Sequence, residues 1–506
     1  MLADEVAAVV AAGPATAVEL AERLGVSEAQ VLYALFSGHG RFRTDRGSPP
    51  RWALADSAPS APPPGSAGMV PQSTGGPGST EETLGLYPWQ TDALASWRAR
   101  GRRGVVEAVT GTGKTMVGVA AVVEQLARRG QSLVLVPTLE LQQQWVDALR
   151  RWLPPARPVG RLGAGQAGSL VHADVLVAVI NSARVADECH RYASAVNRLG
   201  LDPRFTRRLG LSATYGRDDG GHTAWLDPYF GGVCFQMDYR RAAAEKVTAP
   251  FSVTLIGVAF GPTERERYDQ LTDALRGLTA RLVGLGAPPE PFDVFVRAVN
   301  GMADGDGPGC QAARAYRQTV LARRRLLADT PAKRQALAGL VPAVRAAQRS
   351  IVFTESIASA ELAAALLDRR GIPAAAIHSQ LPARQRRGVL ESFAAGSIPA
   401  LAAPRVLDEG IDVPAADLAV VIGASRSRRQ MIQRMGRVLR RKPDGRPARF
   451  AVLFVEGTIE DPRRGAHEAF LDQMLEVAEQ VWCFDSVVAA QRRAAVVESL
   501  AWSGPG

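Results

Sequence analysis

The sequence predicts an α/β protein built on parallel sheets, in two similar halves, and three observations lead to this class. Short apolar runs alternate with helical stretches over residues 84–239 and again over residues 336–460. Strands and helices that alternate along a chain form parallel sheets. The 506 residues are too many for one core. A stretch rich in Pro, Gly and Ser, residues 56–83, also predicts a flexible linker, so we expect several domains.

Residues 1–55 predict a small helical module that ends in two strands. Helical spacing covers three segments: Ala3–Ala12, Thr16–Leu24 and Glu28–Leu35. Residues 41–54 then carry four Arg and one Asp, and the module resembles a winged helix-turn-helix. Such a wing could contact DNA phosphates. Alternatively the module binds a protein partner, which the net charge of −4 over residues 1–85 favours.

The strands of both halves can be placed from their apolar runs. Those of residues 84–239 are Val105–Val109, Leu133–Val136, Asp174–Ile180 and Leu209–Leu211. Those of residues 336–460 are Ser350–Thr354, Ala374–His378, Ala400–Ala403, Leu418–Ile422 and Phe450–Phe454. Between the halves, residues 240–335 predict a mostly helical, charged insertion. Residues 461–506 predict a helical tail.

Composition favours a polyanionic partner in a reducing compartment. The net charge is +10, although residues 1–85 are acidic. The four cysteines are far apart and form no CxxC pair, which indicates neither a disulfide framework nor a zinc site. No apolar run approaches the roughly 20 residues that span a bilayer, and the N-terminus lacks a basic secretory start. We therefore expect a cytoplasmic protein that does not enter a membrane.

Residues 110–115 predict a phosphate-binding loop. The strand Val105–Val109 leads into a glycine turn, and Met116–Arg129 continues as a helix. A helix N-terminus after such a turn binds anions, because its backbone N–H groups and its dipole face the phosphates. Lys114 would reach the β- and γ-phosphates of ATP, and the Thr115 hydroxyl would bind Mg²⁺. The nucleotide-binding residues are Thr110, Gly111, Thr112, Gly113, Lys114 and Thr115.

Three polar side chains outside the loop are further candidates. Gln90 could bind the adenine edge, although a Gln at a helix start is usually only solvated. Hydrolysis of ATP needs a metal ligand and a group that orients water. Asp187 would bind Mg²⁺, and Glu188 would act as general base. The alternative is a solvated, acidic helix start.

Residues 430–441 predict a basic helix. Gln433, Arg437 and Arg440 are spaced i, i+4 and i+7, so that one helix face carries all three. An arginine supplied across a domain cleft stabilises charge on a transferring phosphoryl group. We expect this role for Arg437 and Arg440. The alternative is a solvated or nucleic-acid-binding face.

Taken in order, these residues resemble the superfamily 2 helicases, specifically the DEAH-like branch that includes XPB-type DNA helicases. The resemblance covers residues 84–460. Its motifs are Gln90, the loop at 108–115, 136–141, 179–182, Asp187–His190, 212–214, 351–356, 407–414 and Gln433–Arg440. Residues 217–219 are similar to the Arg-Glu-Asp element of XPB-type enzymes, and the insertion stands where their thumb-like insertion lies.

The resemblance implies two RecA-like domains that bind ATP and Mg²⁺ between them. Gly410 and Asp412 would lie near the nucleotide, and His190 would couple the site to the second domain. ATP hydrolysis would drive alternating grip on nucleic acid, with 3′ to 5′ polarity. Loops such as Pro137-Thr138 would hold the phosphates, so that binding would be sensitive to salt and tolerant of sequence. DNA is favoured over RNA, and an RNA helicase remains the alternative.

The sequence departs from this pattern just before the acidic pair. Only six residues, Asn181–Ala186, separate the strand Asp174–Ile180 from Asp187. Two parallel strands need a connection of about a dozen residues or more. The segment is therefore too short for both a crossover and the usual apolar strand. A scaffold that binds nucleic acid with impaired hydrolysis is a third hypothesis.

Overall fold

The protein is described by a computed structural model in which the following residues are placed: 2–11, 15–24, 31, 42–44, 51–54, 84–163, 166–179, 205–213, 215, 222–404, 416–422, 438–442, 444–462, 477–486 and 491–502. Among the helices of these residues, none combines the length and the apolar character that crossing a bilayer requires. The parallel α/β class is confirmed in both halves.

The N-terminal module contains two helices and a small antiparallel sheet. The helices are α1 (Leu2–Ala11) and α2 (Ala17–Leu24), and the strands are β1 (Ala15–Thr16), β2 (Phe42–Thr44) and β3 (Arg51–Leu54). The sheet order is β1-β3-β2. The pairing of β2 with β3 is antiparallel, as a wing requires. The predicted third helix, Glu28–Leu35, lies outside the described residues except for Val31.

The first half contains two sheets and a layer of helices. The strands are β4 (Arg103–Ala108), β5 (Ser132–Val136), β6 (Val159–Gly163), β7 (Gln166–Ala167), β8 (Val175–Val179), β9 (Arg208–Ser212) and β10 (Val233–Met237). The helices are α3 (Pro88–Ala99), α4 (Lys114–Ala127), α5 (Leu139–Trp152), α6 (Asp227–Phe230) and α7 (Tyr239–Ala244), with a π-helical turn at His222–Leu226. The described strands pair in the orders β10-β4-β9 and β5-β8-β6-β7.

The two sheets share their cores and one covering helix. Val106 of β4 and Val134 of β5 belong to one apolar cluster, while Val105 and Leu135 belong to another. Helix α4 packs against both β9 and β5. A Cβ on Gly118 of this helix would lie 3.2 Å from Leu211 Cδ1 and 2.3 Å from the Trp145 ring. Within the described residues, β9 and β5 are each paired on one side only, so they are the edges beneath α4.

The second half is a seven-stranded parallel sheet. Its strands are β11 (Phe251–Val258), β12 (Ser350–Thr354), β13 (Ala374–Ala376), β14 (Ala400–Pro404), β15 (Leu418–Val421), β16 (Ala448–Val455) and β17 (Gln480–Phe484). The order is β13-β14-β12-β15-β16-β11-β17. Helices α11 (Pro331–Gly339), α12 (Val341–Ala346), α13 (Ile357–Arg369), α14 (Ala383–Ala395) and α15 (Arg493–Glu498) accompany the sheet. All five strands that the sequence predicts here are present, with ends that differ by up to two residues.

Two strands lie where the sequence predicts only helices. β11 falls within the predicted helical insertion at 240–335, and β17 falls within the predicted helical tail at 461–506. Both predictions are wrong at these strands. β11 is buried along its whole length between β16 and β17. Apolar and polar residues do alternate over Phe251–Leu255, which is a strand signal. The charged, helical pattern of the rest of the segment outweighed this short signal in the sequence-based prediction.

The helical part of the insertion follows β11. It consists of α8 (Pro262–Gly284), α9 (Phe292–Asp304) and α10 (Cys310–Asp329). These helices pack on one another around a separate apolar cluster. The base of α8 is fixed to the turn after β16, because Arg265 Nη2 donates to the Glu456 carbonyl at 2.6 Å and Tyr268 Oη accepts from Ile459 N–H at 2.9 Å.

A buried ion pair fixes the end of the insertion to the same turn. Lys333 Nζ lies 2.7 Å from Glu460 Oε2, and the Lys333 side chain is fully buried. Glu460 Oε2 also accepts from Val455 N–H at 3.2 Å. Removing one partner of a buried pair leaves an uncompensated charge, whereas replacing both with apolar groups is often nearly neutral.

We therefore expect Glu460→Leu to lower the free energy of unfolding by about 3–5 kcal/mol. The double variant Lys333→Met/Glu460→Leu should recover most of that loss, because no buried charge remains. Urea-induced unfolding of the full chain measures both. Equal losses in the single and double variants would contradict a stabilising role for the pairing of these charges.

Candidate nucleotide-binding site

The predicted phosphate loop connects β4 to α4. Gly111 and Gly113 both have φ of +86°, in the left-handed region that side chains disfavour. Gly113 is the N-cap of α4. The buried Thr112 side chain closes the turn, because its hydroxyl donates to the Val109 carbonyl at 2.8 Å. The helix N-terminus is thus open to an anion, and these residues fit a polyphosphate.

Lys114 is directed back over the loop. Its Nζ donates to the carbonyls of Ala108 at 2.8 Å and Val109 at 3.2 Å, at the carboxyl end of β4. The ammonium therefore lies beside the glycine turn, where the first turn of α4 also places the half-buried Thr115. A cation and a hydroxyl at one helix N-terminus are the groups that bind phosphate and Mg²⁺ in phosphate loops.

Gln90 lies against the phosphate loop. It is almost fully buried at the start of α3. Its Oε1 accepts from Tyr87 N–H at 2.9 Å, and its Nε2 donates to the Gly113 carbonyl at 3.0 Å. The side-chain amide therefore connects the helix start to the loop. Contact between Gln90 and an adenine stays a prediction.

Glu107 was missed by the sequence reasoning and connects three segments. It lies in β4, directly before the loop. Its Oε1 accepts from Tyr215 N–H at 2.8 Å, and its Oε2 accepts from Gln236 Nε2 at 2.9 Å. Tyr215 follows the predicted Ser-Ala-Thr motif, of which Ser212 and Ala213 are described. The signal for Glu107 is a single charge within an apolar strand run.

The connector between the halves, residues 239–249, touches the nucleotide side of the first domain. Glu245 Oε2 accepts from Trp89 N–H at 3.0 Å, one residue before Gln90. Glu245 Oε1 accepts from Arg241 Nε at 2.7 Å, and Arg241 also pairs with Asp92. The connector is therefore fixed to α3 by charge-assisted hydrogen bonds.

The same connector pairs with the end of the predicted arginine helix. Ala249 N–H donates to the Leu439 carbonyl at 2.8 Å, and Thr248 forms an antiparallel bridge with Arg440. Arg441 Nη1 donates to the Lys246 carbonyl at 3.3 Å. Arg440 is thus placed directly beside the connector.

The predicted helix at 430–441 is wrong at its end. Among the described residues, helical structure stops at Val438, and Leu439–Lys442 are not helical. Pairing of this segment with Thr248 and Ala249 replaces helical hydrogen bonds. Arg440 therefore lies outside the helix, so helical spacing does not determine its position relative to Arg437. Its position is set by its pairing with Thr248 of the connector.

The remaining predicted site residues lie outside the described part of the chain. They are Asp187, Glu188, His190, Gly410, Asp412, Gln433 and Arg437. The predicted nucleotide-binding residues, Gln90 and 110–115, are described and lie together.

Comparison with known proteins identifies the class. Residues 83–217 match the family described as type III restriction enzyme, res subunit. Residues 332–442 match the helicase conserved C-terminal domain. A solved structure of Dbp5 from S. cerevisiae, bound to RNA and ADP BeF3, has a TM-score of 0.53 and 13% identity, covering 83% of this chain and 96% of that chain. At this identity the likeness concerns the fold alone, and it agrees with two RecA-like domains.

Three curated relatives are similar over most of this chain. A DNA 3′-5′ translocase XPB2 of Sulfurisphaera tokodaii is 28% identical, with 72% of this chain and 80% of the relative covered. A putative DNA 3′-5′ helicase Rad25 of Halobacterium salinarum is 29% identical, with 77% of this chain and 57% of the relative covered. A DNA 3′-5′ helicase XPB of Kineococcus radiotolerans is 24% identical, with 77% of this chain and 63% of the relative covered. The chain thus spans about three fifths of the length of the last two.

The family match in the first domain contains the phosphate loop, and the match in the second domain extends to Lys442. By these matches and relatives, the chain is similar to superfamily 2 helicases of the XPB-like branch.

Lys442 gives the arginine segment a pH-dependent contribution to stability. Its Nζ donates to the Val438 carbonyl at 2.8 Å, at the end of the helix. Burial lowers the pKa of Lys442 to about 8, although Asp417 and Asp444 act in the opposite direction. A lysine with a lowered pKa destabilises the folded state while it is charged. This penalty is fully present below pH 8 and disappears as the pH rises towards 10.5.

We expect wild type to gain stability relative to Lys442→Met, by up to about 3 kcal/mol, as the pH rises from about 7 to 10.5. Methionine fills a similar volume and does not titrate. Urea unfolding across this pH range measures the free energy of unfolding of both proteins. All other titrating groups are the same in the two proteins, so their contributions cancel in the difference. A difference that does not change with pH would show that the Lys442 ammonium is not desolvated.

Proposed function

We propose that this protein is an ATP-dependent motor that moves 3′ to 5′ on DNA. The observation that carries the proposal is the phosphate loop, with Lys114 folded over it, in a chain whose connector links that side of the first domain to Arg440. The polarity and the preference for DNA rest on the names of the XPB-like relatives. RNA is the second candidate partner.

In the proposed mechanism, the residues of this chain bind ATP and stabilise charge during hydrolysis. Lys114 and the N–H groups of the loop bind the β- and γ-phosphates. Thr115 and Asp187 would hold Mg²⁺, which would supply positive charge against the phosphates. Glu188 orients the attacking water as general base. Arg437 and Arg440 stabilise the charge that develops on the transferring phosphoryl group.

Movement requires a grip on the nucleic acid that changes with the nucleotide. Pro137-Thr138 precede α5, and Thr138 Oγ1 accepts from Leu141 N–H at 3.3 Å as the N-cap. A helix N-terminus at this loop can bind a backbone phosphate. The connector supports coupling, because it contacts α3 on one side and the arginine segment on the other.

The compartment and the protein partner belong to the same proposal. The described cysteines are free thiols, and burial raises the pKa of Cys234 to about 11, so that this thiol stays protonated. Such cysteines suit a reducing cytoplasm. We also propose that residues 1–55 bind a protein partner or contact DNA through their wing.

Nucleotide binding tests the first part of the proposal. Lys114→Ala should weaken ATP binding by at least about tenfold, because it removes the cation of the loop. Titration of a fluorescent ATP analogue with the full chain measures this. Lys246→Gly removes an exposed lysine with φ of +53° and serves as the matched control, with unchanged ATP affinity. Equal ATP affinity of Lys114→Ala and wild type would overturn the site.

A second candidate function is a nucleic-acid-binding scaffold with weak hydrolysis. One observation favours it: only six residues separate the predicted strand Asp174–Ile180 from Asp187. If Glu188 does not reach the phosphates, ATP binding through Lys114 survives while turnover is slow.

The scaffold predicts slow turnover, with little further loss in Glu188→Gln. The measurement is ATPase activity of the full chain with no nucleic acid, single-stranded DNA, duplex DNA and RNA. A fast rate that DNA stimulates and that falls by about 10²-fold or more in Glu188→Gln would establish the motor and refute the scaffold. Equal stimulation by RNA would favour the RNA helicase.

A further inference from the structure

The first domain carries a dense group of arginines at the end opposite the phosphate loop. We define the rear arginine cluster as Arg98, Arg100, Arg102, Arg103, Arg128, Arg129 and Arg207. These residues lie where α3 and α4 end and where β4 and β9 begin. In the described part of the chain, the acidic side chain in the ion pairs of this cluster is Glu124. The two helix C-termini add only about one further negative charge in total.

Hydrogen bonds hold the arginine side chains in place. Arg98 Nε lies 2.8 Å from Glu124 Oε2, and Arg102 Nη2 lies 2.6 Å from Glu124 Oε1. Arg100 Nη1 donates to the Val233 carbonyl at 2.7 Å. Arg102 donates to the Glu124 carboxylate through Nε as well, at 2.8 Å. Burial alone would raise the pKa of Glu124, yet Arg98 and Arg102 hold it below its usual value, so the carboxylate stays ionised.

The backbone of the cluster is strained in a way that glycine would relieve. Arg102 has φ of +63° and Arg129 has φ of +57°. Among the described residues, Lys246 is the other non-glycine residue with positive φ. Residues held in such conformations concentrate at functional sites. Two of three outliers thus fall in one charged patch.

The second domain provides a direct comparison. Arg-Arg-Gly occurs at the end of both α4 and α13, at 128–130 directly after α4 and at 369–371, where Arg369 is the last residue of α13. After α13, the left-handed position is taken by Gly371, with φ of +76°. After α4, Arg129 takes that position, although glycine adopts it without strain. An arginine at the costlier position indicates that its side chain has a use.

The cluster is remote from both the nucleotide and the predicted grip. The six residues of β4 separate it from the phosphate loop by roughly 20 Å. The 14 residues of α4 span a similar distance, about 21 Å. Thr138 follows the carboxyl end of β5, at the loop end of the sheets. A ligand on the cluster therefore occupies a different face from the motor site.

The chemistry of the cluster fits phosphate better than protein. Among the described residues of its three segments, 98–103, 124–130 and 205–208, none of the exposed side chains is a large apolar one. Protein interfaces depend on buried aromatic and aliphatic anchors. Nucleic acid backbone offers repeated phosphates, which arginine binds through paired N–H donors. We propose that the rear arginine cluster is a second nucleic-acid contact site, which binds the sugar-phosphate backbone of duplex DNA that extends beyond the motor site.

The test compares two matched double variants of the full chain. Arg128→Gln/Arg129→Gly removes two cluster charges and relieves the backbone at residue 129. Arg369→Gln/Arg370→Gln removes the corresponding pair from the second domain. Binding to a 40-base-pair duplex and to an eight-nucleotide single strand is measured without nucleotide, across a range of salt concentrations. The short single strand serves as the ligand of the motor site, whereas the duplex is long enough to contact the cluster as well.

On the long duplex, the cluster variant should bind about tenfold more weakly at roughly 0.1 M salt, and its salt slope should fall by about 1.8, from two lost phosphate contacts. The second-domain variant should match wild type. On the short strand, all three proteins should bind equally. The cluster variant should also unfold at the same urea concentration as wild type or a higher one, so weaker binding cannot reflect damage to the fold.

Three results would overturn the proposal. One is unchanged duplex affinity and salt slope in the cluster variant. Another is an equal loss on the short strand, which would place these arginines at the motor site. The third is competition by polyglutamate as effective as by DNA of equal charge, which would assign the cluster to an acidic protein. The binding test uses no nucleotide and is therefore independent of ATP hydrolysis. A lack of ATPase activity in the separate assay would thus contradict the motor and leave the proposal for the cluster unaffected.

Discussion

The strand β4 is the element on which the first domain depends. It pairs in parallel with β9 on one side and β10 on the other, and its central residues are fully buried. A parallel strand presents different chemistry at its two ends. At the carboxyl end, the chain turns through Gly111 and Gly113 into the N-terminus of α4, which attracts anions. At the amino end, helix C-termini gather, and Arg102 and Arg129 are held there. One strand therefore positions two opposite anion-attracting surfaces.

Coupling between the domains follows from a short run of contacts. Gln90 bonds to Gly113 in the phosphate loop, and Trp89 beside it donates to Glu245 of the connector. A few residues further along the connector, Thr248 bridges to Arg440. A change in the loop that shifts the start of α3 would thus act on the connector directly. Hydrogen bonds and the covalent chain thus connect the phosphate loop to Arg440, and Glu245 is the charged residue in the middle of this path.

The glycine turn before α4 was predictable from the sequence because glycine at a positive φ has few substitutes, and local chemistry decides that turn. Strands of the second half were also predictable, since β12 is an apolar run bounded by turns. β11 was not predicted, because its alternation covers only Phe251–Leu255 and lies in a segment that is otherwise charged and helical. Arg440 was misplaced in a helix because its partner, Thr248, is remote in sequence. Likewise, Glu107 gains its role only when Tyr215 and Gln236 come together around it.

Nucleotide binding and hydrolysis are structurally separable in the first domain. The loop depends on β4, α4 and Gln90, all of which are described and mutually bonded. Helix α4 also packs on both β9 and β5, so it joins the two sheets from one side. The acidic pair Asp187-Glu188, in contrast, follows a segment of only six residues, Asn181–Ala186. A connection between two parallel strands needs about a dozen residues or more, so this segment is too short for both a crossover and a strand. Loss of such a strand would remove the general base while leaving the loop, its lysine and its covering helix intact. A change in the acidic segment would therefore affect hydrolysis without disturbing the parts of the first domain that form the loop.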